Sequence, residues 1–346
     1  MKTMDASAAL DNQRVVITGY GDPSVLKVIR ESVPLPKSGE VRIKVEAAGV
    51  SFGDVLQRSG LFFAGAPKFP YTPGYDVVGT IDAVGDHVND FRVGDRVVAL
   101  TLFAGYARYV CVPTEYLVGE VPRTLDATKA VALVLNYTTA FQMIKRVADV
   151  RKGQSILIYG ASGGVGTALL DLAKLMNVSV AAAMSKRWHD TFKGQADLLF
   201  DERDMDARAL RKFQPAGFDA AFDPIGGAHA WRTRSLVARQ GKLVLFGIAG
   251  AVKPGGKRDL ANVAGLSFLL AFSKLWRKPA VVLHAIDQLV KTQRREINDD
   301  IRTVVGLLAQ GAINPRIGAV LPLAEAQRAH QLMESRENVG KIVLVP

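Results

Sequence analysis

The chain of 346 residues is poor in cysteine and histidine, with one cysteine, Cys111, and five histidines. A single cysteine excludes an internal disulfide framework and any multi-cysteine metal site, and it fits a reducing, cytoplasmic location. The histidines are dispersed, and no two of them have the i, i+4 spacing of a helical metal site. The longest strongly apolar run near the middle of the chain, residues 263–272, is too short to span a bilayer.

Acidic side chains are outnumbered, with 33 Asp and Glu against 44 Lys and Arg, which gives a formal net charge of +11. Such a charge attracts phosphates, acidic lipids and nucleic acids at long range. The cations are scattered and are not interleaved with aromatic residues, so no nucleic-acid site is predicted. The hydrophobic content of 49% indicates a globular protein, and the length is sufficient for two domains of ordinary size.

A glycine-rich turn follows a short apolar strand at 155–159 and precedes a predicted helix. Gly160 lets the chain turn, Gly163 or Gly164 lets the backbone approach a phosphate, and Gly166 lets the helix pack closely. The unpaired N–H groups and positive dipole end of the helix favour a pyrophosphate there. The pattern therefore predicts a dinucleotide site in preference to a simple tight turn. The residues predicted to line it are Gly160, Ala161, Ser162, Gly163, Gly164, Val165 and Gly166.

The next predicted strand, over 178–184, selects the cofactor. NAD-specific sites usually place a carboxylate at the end of this strand to bind the ribose hydroxyls. Here the strand is followed by Ser185, Lys186 and Arg187, and no carboxylate comes before Asp190. Two cations and a hydroxyl suit a 2′-phosphate, although a solvated basic turn is the simpler alternative. The sequence therefore predicts NADPH.

The predicted elements change character near Tyr137. Before it, apolar or alternating runs indicate strands at 14–18, 40–48, 77–84, 96–100 and 106–112, typical of a compact barrel or sandwich. After it, strands at 155–159, 178–183, 198–200, 220–222, 243–246 and 281–285 alternate with helices, which indicates a doubly wound parallel sheet. A polar helix at 299–309 and a closing strand at 341–345 follow. That closing strand is expected to return to the first domain.

Seven segments, at 47–54, 73–79, 93–97, 105–109, 159–166, 222–227 and 338–344, together carry a family resemblance. They resemble the medium-chain dehydrogenase/reductase superfamily, in its zinc-free quinone oxidoreductase (zeta-crystallin) branch, and the latter half is similar to VAT-1-like members. The resemblance implies an α/β fold with a GroES-like β-rich catalytic domain at 1–135 and a Rossmann NADPH-binding domain at 136–286. Residues 287–346 would complete the catalytic domain, and the active site would lie between the two domains.

Zinc is not expected. Zinc-dependent relatives place a cysteine at the position of Ser51, a His-Glu pair at Tyr75 and Asp76, and another cysteine near Leu135. Zinc needs several thiolate or imidazole ligands in a tetrahedron, and these residues cannot supply them. Hydride transfer without zinc requires an acceptor that is already electrophilic, such as a quinone or an α,β-unsaturated carbonyl.

The resemblance also implies catalytic candidates. Ser51 occupies a position that is commonly Asn, near the nicotinamide and the substrate oxygen, where it could donate a hydrogen bond. Phe62 replaces a tyrosine of many relatives, which weakens an enoyl-reductase assignment. Tyr75 and Tyr137 could shape or protonate the site, or could be core tyrosines with satisfied hydroxyls. Asp54 is either part of the site or a structural hydrogen-bond acceptor.

For the cofactor, the resemblance assigns Thr138 to the nicotinamide carboxamide and places Phe246 and Gly247 beside the nicotinamide. Alternatively, Thr138 could be an ordinary residue at the start of a helix and Phe246 an ordinary strand residue. The following apolar and basic segment, 248–278, could line a pocket, form a dimer contact or lie on an acidic membrane surface. Its candidate residues are Leu266, Leu269, Leu270, Phe272, Lys274, Trp276, Arg277 and Lys278.

Together these features predict a cytoplasmic, zinc-independent, NADPH-dependent oxidoreductase that transfers hydride to quinones or activated alkenes. A homodimer is expected because dimers are common in the family that the chain resembles. Two alternatives stay open: a 2-alkenal or enone reductase, and a VAT-1-like NADPH-binding adaptor that acts through lipid or protein contacts with little turnover.

Overall fold

The computed structural model describes residues 11–62, 65–201, 203, 207–253, 257–273 and 278–346. The chain divides into two compact units. The first comprises Met1–Val134, Ala319–Glu334 and Ile342–Pro346, and the second comprises Leu135–Gly318 and Ser335–Lys341.

Strands and helices follow one another in the order in which they are numbered here. The strands are β1 Asp11–Ile17, β2 Leu26–Ser32, β3 Glu40–Val50, β4 Asp76–Val84, β5 Arg96–Leu100, β6 Tyr109–Pro113, β7 Leu117–Val118, β8 Ser155–Ile158, β9 Ser179–Ala183, β10 Leu198–Phe200, β11 Phe218–Asp223, β12 Val237–Leu245, β13 Val252–Lys253, β14 Lys257–Arg258, β15 Ala280–Leu283, β16 Ile317–Pro322 and β17 Lys341–Val345. The α-helices are α1 Phe52–Ser59, α2 Ala127–Ala132, α3 Thr138–Phe141, α4 Gly164–Met176, α5 Ala207–Phe213, α6 Gly227–Arg234, α7 Leu260–Ser273, α8 Ile286–Thr292, α9 Arg294–Ala309 and α10 Ala326–Ser335, with π-helical segments at Leu133–Tyr137 and Gln142–Val147.

The first unit is built on a seven-stranded sheet in the order β16-β17-β3-β4-β5-β7, with β6 also paired to β3. Alternate side chains of β3, including Val41 and Ile43, are buried in one hydrophobic core, as the strand periodicity predicts. The closing strand β17 pairs antiparallel with β3, so that Ile342 lies opposite Val50. The end of the chain, which is expected to return to the first domain, thus supplies the strand β17 to the sheet of the first unit.

The second unit contains a parallel six-stranded sheet in the order β10-β9-β8-β11-β12-β15. Strands β8 and β9 are almost wholly buried, which explains their continuous apolar sequences. The strand order reverses between β8 and β11, and ligands of such sheets bind beyond the carboxyl ends of the strands at this point. The predicted fold class, a GroES-like domain with a doubly wound parallel sheet, is confirmed.

The division of the chain differs from the predicted boundary at 286, because residues 287–318 belong to the second unit. The apolar face of α9 is buried, including Ile297 and Ile301. On the same helix, Asp300 is buried and accepts hydrogen bonds from Gln142 Nε2 at 3.1 Å and from Arg146 Nη2 at 2.6 Å. The polar pattern that predicted this helix does not show which domain it packs against, whereas these contacts do.

Replacing Asp300 with alanine is expected to lower the free energy of unfolding by about 2–3 kcal/mol. The change leaves the Gln142 amide without its acceptor and leaves the Arg146 guanidinium only its 3.3 Å ion pair with Glu296. Arg146 keeps 42% of its side-chain surface exposed, so water offsets part of the loss. Urea-induced unfolding measures the effect. The matched control is D299A, since the neighbouring Asp299 is 67% exposed and should change the free energy by less than about 0.5 kcal/mol.

The apolar helix α7 packs against α6, with Leu266 and Leu269 buried and Phe268 54% exposed beside Trp231. Lys274, Trp276, Arg277 and the side chain of Phe272, which the sequence analysis singled out, lie outside the described residues. In the part of the chain that the structure describes, no helix has the length and apolar character needed to cross a membrane.

Candidate functional site

The glycine turn after β8 depends on two glycines for different reasons. Gly160 has a left-handed backbone with φ +64°, and its carbonyl accepts the Gly163 N–H at 3.0 Å, which closes the turn. At Gly166 a Cβ atom would lie 2.3 Å from the Gly160 oxygen and 2.6 Å from Ala161 Cα. Only glycine therefore lets α4 approach the turn this closely, which is the packing that the sequence predicts for Gly166.

The start of α4 is suited to an anion. Gly163 precedes the helix in an extended conformation, and among the described residues no side chain caps the first turn. Asn136 packs against this turn, because a Cβ on Gly164 would lie 2.0 Å from its Nδ2. Ser162, Gly163, Gly164 and Val165 are partly exposed. The backbone donors of the first turn are thus not used by a capping side chain, and the helix dipole favours negative charge there.

A segment near the chain's end completes this turn. The Gly340 N–H donates to the Ser162 carbonyl at 2.8 Å, and Gly340 forms a parallel bridge with Gly163. Lys341 N–H donates to the Arg316 carbonyl at 2.9 Å, and a Cβ on Gly340 would lie 2.1 Å from that oxygen. The contact of this segment with the glycine turn was not predicted, because the sequence marks 338–344 only as a family-like segment.

The basic turn after β9 lies beside the glycine turn. The two are joined by a hydrogen bond from Ala161 N–H to the Ala183 carbonyl at 3.0 Å. Lys186 and Arg187 are exposed in a short 3-10 helix, Lys186–Trp188. The Arg187 guanidinium donates to the Arg336 carbonyl at 2.5 Å and lies 5.3 Å from the ring centroid of Trp188. Two exposed cations are therefore placed next to the predicted pyrophosphate position.

One carboxylate at this turn was missed. Asp201 follows the neighbouring strand β10 and accepts the Lys186 N–H at 3.0 Å. Arg203 also donates to Asp201 from its backbone and guanidinium, and these hydrogen bonds, with that of Lys186, hold the pKa of Asp201 well below its usual value. The carboxylate is 93% buried, so it serves the turn's own backbone. Only the parallel pairing of β9 with β10 brings it there.

The other predicted cofactor residues surround the same sheet edge. Phe246 and Gly247 directly follow β12, and a Cβ on Gly247 would lie 2.7 Å from the Pro224 oxygen. Pro224 also lies 3.2 Å from the position of a Cβ on Gly160. The ends of β8, β11 and β12 therefore bring Gly160, Phe246 and Gly247 together. Thr138 is fully buried at the start of α3, which packs against α4.

In the first unit, Ser51 and Asp54 form a reciprocal cap at the start of α1. The Ser51 hydroxyl donates to Asp54 Oδ2 at 2.8 Å and accepts the Asp54 N–H at 3.3 Å. Asp54 is fully buried and also accepts from Gly74 N–H at 3.0 Å and from the Tyr106 hydroxyl at 3.1 Å. The hydroxyl hydrogen of Ser51, which was predicted to be donated to a substrate oxygen, is thus donated to Asp54.

The two candidate tyrosines have different surroundings. Tyr75 is buried against the first turn of α1, because a Cβ on Gly53 would lie 2.6 Å from its Cζ and hydroxyl oxygen. Phe62 contacts the Tyr75 ring edge-on, with centroids 6.1 Å apart. Tyr137 belongs to the second unit and donates to Asp171 at 2.6 Å. Burial and the Asp171 carboxylate raise the pKa of Tyr137 well above its usual value, so its hydroxyl stays protonated.

Potential metal ligands are sparse. Across the described residues, no group of three or more His, Cys, Asp or Glu side chains could hold a metal ion. The residues that the family resemblance predicts at or near the zinc positions are Ser51, Tyr75, Asp76 and Leu135, and Asp76 is fully buried. The first two of these have no thiolate or imidazole to offer zinc.

Two family models match the chain. One describes an alcohol dehydrogenase GroES-like domain and matches residues 37–123. The other describes a zinc-binding dehydrogenase and matches residues 195–344. The first match lies within the β-rich first unit, and the second includes the latter part of the second unit together with the C-terminal segments of the first.

Known proteins resemble the chain over nearly its whole length. The human synaptic vesicle membrane protein VAT-1 homolog-like is 30% identical over 97% of this chain and 81% of its own length. The human quinone oxidoreductase is 28% identical over 94% of this chain and 95% of its own. A mycobacterial protein whose structure was determined in complex with NADPH is 29% identical, covers 97% of this chain and all of its own, and superimposes with a TM-score of 0.81.

Proposed function

Because the chain belongs to the medium-chain dehydrogenase/reductase superfamily, in its zeta-crystallin or quinone oxidoreductase-like branch, we propose that it is a zinc-independent, NADPH-dependent oxidoreductase that reduces quinones or activated alkenes. The observation that carries the proposal is the glycine turn at the sheet's switch point, with Lys186 and Arg187 exposed beside it. A dinucleotide with an extra phosphate matches that arrangement.

The residues around the turn fit NADPH. The backbone of Gly163, Gly164 and Val165 would hold the pyrophosphate at the start of α4, where no described side chain competes as a cap. Lys186 and Arg187 would bind the 2′-phosphate, since both cations are exposed at the end of β9. When bound, NADPH supplies the hydride, and the protein supplies binding and orientation.

The acceptor is proposed to be electrophilic in itself. The residues at the family's zinc positions cannot polarise a carbonyl as a metal does, and the Ser51 hydrogen is used by Asp54. Phe62 presents a ring without a hydroxyl, packed edge-on against Tyr75 and Phe103. A quinone accepts hydride to give a stabilised hydroquinone anion, so it depends less on a positioned acid than an enal or enone does, because hydride addition to these gives a more basic enolate. This favours quinones over 2-alkenals and enones.

The proposal is tested by NADPH oxidation with a panel of ortho- and para-quinones and alkenals, with matched NADH and a chelator. We expect chelator-resistant turnover that prefers NADPH, with quinones as the best acceptors. Loss of activity on chelation would contradict the zinc-independent mechanism, and preference for alkenals would select the enone-reductase alternative.

A second candidate function is a cofactor-binding adaptor that acts at a lipid surface. It is favoured by the similarity to synaptic vesicle membrane proteins and by the exposed Phe268 on the apolar helix α7. Co-sedimentation with acidic liposomes at low salt tests it. Tight NADPH binding and lipid binding without turnover would favour the adaptor, whereas absence of lipid binding at low salt would remove its physical basis.

We also propose that the protein is a cytoplasmic homodimer, as the family suggests. Light scattering on the eluting protein measures the mass, which should be twice the 37.3 kDa of one chain. A mass of one chain at micromolar concentration would contradict the dimer.

A further inference from the structure

A buried hydrogen-bonded chain runs through the first unit and ends at Ser51. One of its hydrogen bonds joins two residues that are 272 positions apart in the sequence, Arg58 and His330. Its members are Arg58, His330, Tyr106, Asp54 and Ser51, all of them at least 93% buried. The successive donor–acceptor distances are 3.4 Å from Arg58 Nε to His330 Nδ1, 3.3 Å between His330 Nε2 and the Tyr106 hydroxyl, 3.1 Å from Tyr106 to Asp54 Oδ2, and 2.8 Å from Ser51 Oγ to Asp54 Oδ2.

Arg58 fixes the direction of these hydrogen bonds. A guanidinium can only donate, so His330 Nδ1 must accept, and the proton of the neutral imidazole resides on Nε2. Burial, together with the nearby Arg58 charge, lowers the pKa of His330 to about 3, so the ring stays neutral at physiological pH. His330 then donates to the Tyr106 oxygen, and Tyr106 donates to Asp54. Arg58 itself is held by Glu334 at 2.6 Å and by the Gly21 carbonyl.

These hydrogen bonds determine the direction in which the Ser51 hydroxyl donates. Asp54 Oδ2 receives hydrogen bonds from the Tyr106 hydroxyl, the Ser51 N–H and the Ser51 hydroxyl. A carboxylate fixed in this way accepts only, so the Ser51 hydrogen points into the protein. The Ser51 oxygen also accepts the Asp54 N–H, which leaves it one lone pair for a ligand. Toward a ligand, Ser51 is therefore an acceptor and not a donor.

We propose that Tyr106 and His330 are positioning residues that hold Ser51 as a hydrogen-bond acceptor, and that Ser51 recognises a hydroxyl of the reduced product. The proposal rests on the proposed function, because it assumes that Ser51 faces the substrate. It implies that the protein distinguishes a dihydroxyarene or phenol from an otherwise similar molecule that has only acceptor oxygens. An oxidised quinone has only acceptor oxygens, so Ser51 would bind it less well than the hydroquinone.

The test uses two redox-inert probes, 4-methoxyphenol and 1,4-dimethoxybenzene, which differ in one hydroxyl. Dissociation constants are measured by ligand-observed NMR titration, so that no turnover is needed. One hydrogen bond should make the phenol bind about 3- to 10-fold more tightly. The S51A variant should bind both probes equally. Equal binding by the unaltered protein, or a preference that survives in S51A, would overturn the assignment of Ser51 as the acceptor.

Two His330 variants test the positioning role. H330Q keeps an acceptor for Arg58 and a donor for Tyr106, so it should retain the preference for the phenol. H330L fills the space without hydrogen bonds and should lose most of it. Thermal unfolding of both variants separates an effect on stability from an effect on probe selectivity. The control is Y109F, because Tyr109 is a buried tyrosine that does not belong to this hydrogen-bonded network. If both His330 variants keep the preference, or both lose it at equal stability, the positioning role is wrong.

These outcomes are independent of the proposed reductase activity. A probe preference that disappears in S51A, in a protein without quinone turnover, would support the Ser51 assignment while contradicting the enzyme. Quinone turnover without any probe preference would support the proposed enzyme activity while contradicting the Ser51 assignment. A lower affinity of S51A for NADPH, with the probe preference unchanged, would assign the Ser51 lone pair to the cofactor and overturn its role toward the product.

Discussion

Replacing Gly166 with alanine is expected to raise the dissociation constant for NADPH by about 10- to 100-fold, because displacing α4 weakens charge-assisted hydrogen bonds from its first turn to the pyrophosphate, each worth about 1.5–3 kcal/mol. The added methyl would lie 2.3 Å from the Gly160 oxygen and 2.6 Å from Ala161 Cα, and both contacts are with backbone. No side-chain rotation relieves them, so α4 or the turn must move. The same displacement should lower the free energy of unfolding by about 1–3 kcal/mol. Fluorescence titration with NADPH and urea unfolding measure the two effects.

The matched control is G306A in α9. Gly306 lies in a helix interior, and nothing stands within 4 Å of the position of its Cβ. Alanine there should stabilise the protein by about 0.5–1 kcal/mol and leave NADPH binding unchanged. The same substitution is thus expected to lower the free energy of unfolding at Gly166 and to raise it at Gly306. Unchanged affinity in G166A would show that the turn does not hold the cofactor.

The elements of the fold were largely predictable because local signals and burial agree. Strands β5 and β10 and the closing strand β17 have the bounds that the sequence predicts, since each is a short apolar run between turn residues. Helix α9 was predicted from Asp299 but begins at Arg294, where polar residues hide the start of its apolar face. Periodicity identifies such elements more reliably than it identifies their ends.

What could not be predicted depends on contacts between distant parts of the chain. Asp201 reaches the turn at Lys186 through the pairing of β10 with β9, although it lies beyond the interval in which a carboxylate was sought. His330 meets Tyr106 across 224 residues. Glycine spacing and strand order predict where backbone atoms bind a cofactor, because backbone geometry is local. The direction of the Ser51 hydrogen is set by partners that no local pattern reveals.

The preference for NADPH over NADH is proposed to depend on the turn after β9. Changing this turn should therefore have a large effect on the dissociation constant for NADPH. The K186A/R187A double variant removes both exposed cations beside the glycine turn. Each charge-assisted contact with a phosphate is worth roughly 1.5–3 kcal/mol. If both bind the 2′-phosphate, the dissociation constant for NADPH should rise by a factor on the order of 10²–10⁴, while that for NADH, which lacks this phosphate, changes little.

The control for this double variant is K152A/R239A, which removes one exposed lysine and one exposed arginine elsewhere in the second unit. It lowers the net charge equally, so any general attraction of anionic cofactors falls by the same amount. NADPH and NADH affinities should both stay close to those of the unaltered protein. The Arg187 guanidinium is already held by its hydrogen bond to the Arg336 carbonyl. The single variant R187A should therefore also raise the dissociation constant for NADPH. Equal weakening of NADPH and NADH in K186A/R187A would mean that the turn supports the fold of the site without recognising the phosphate.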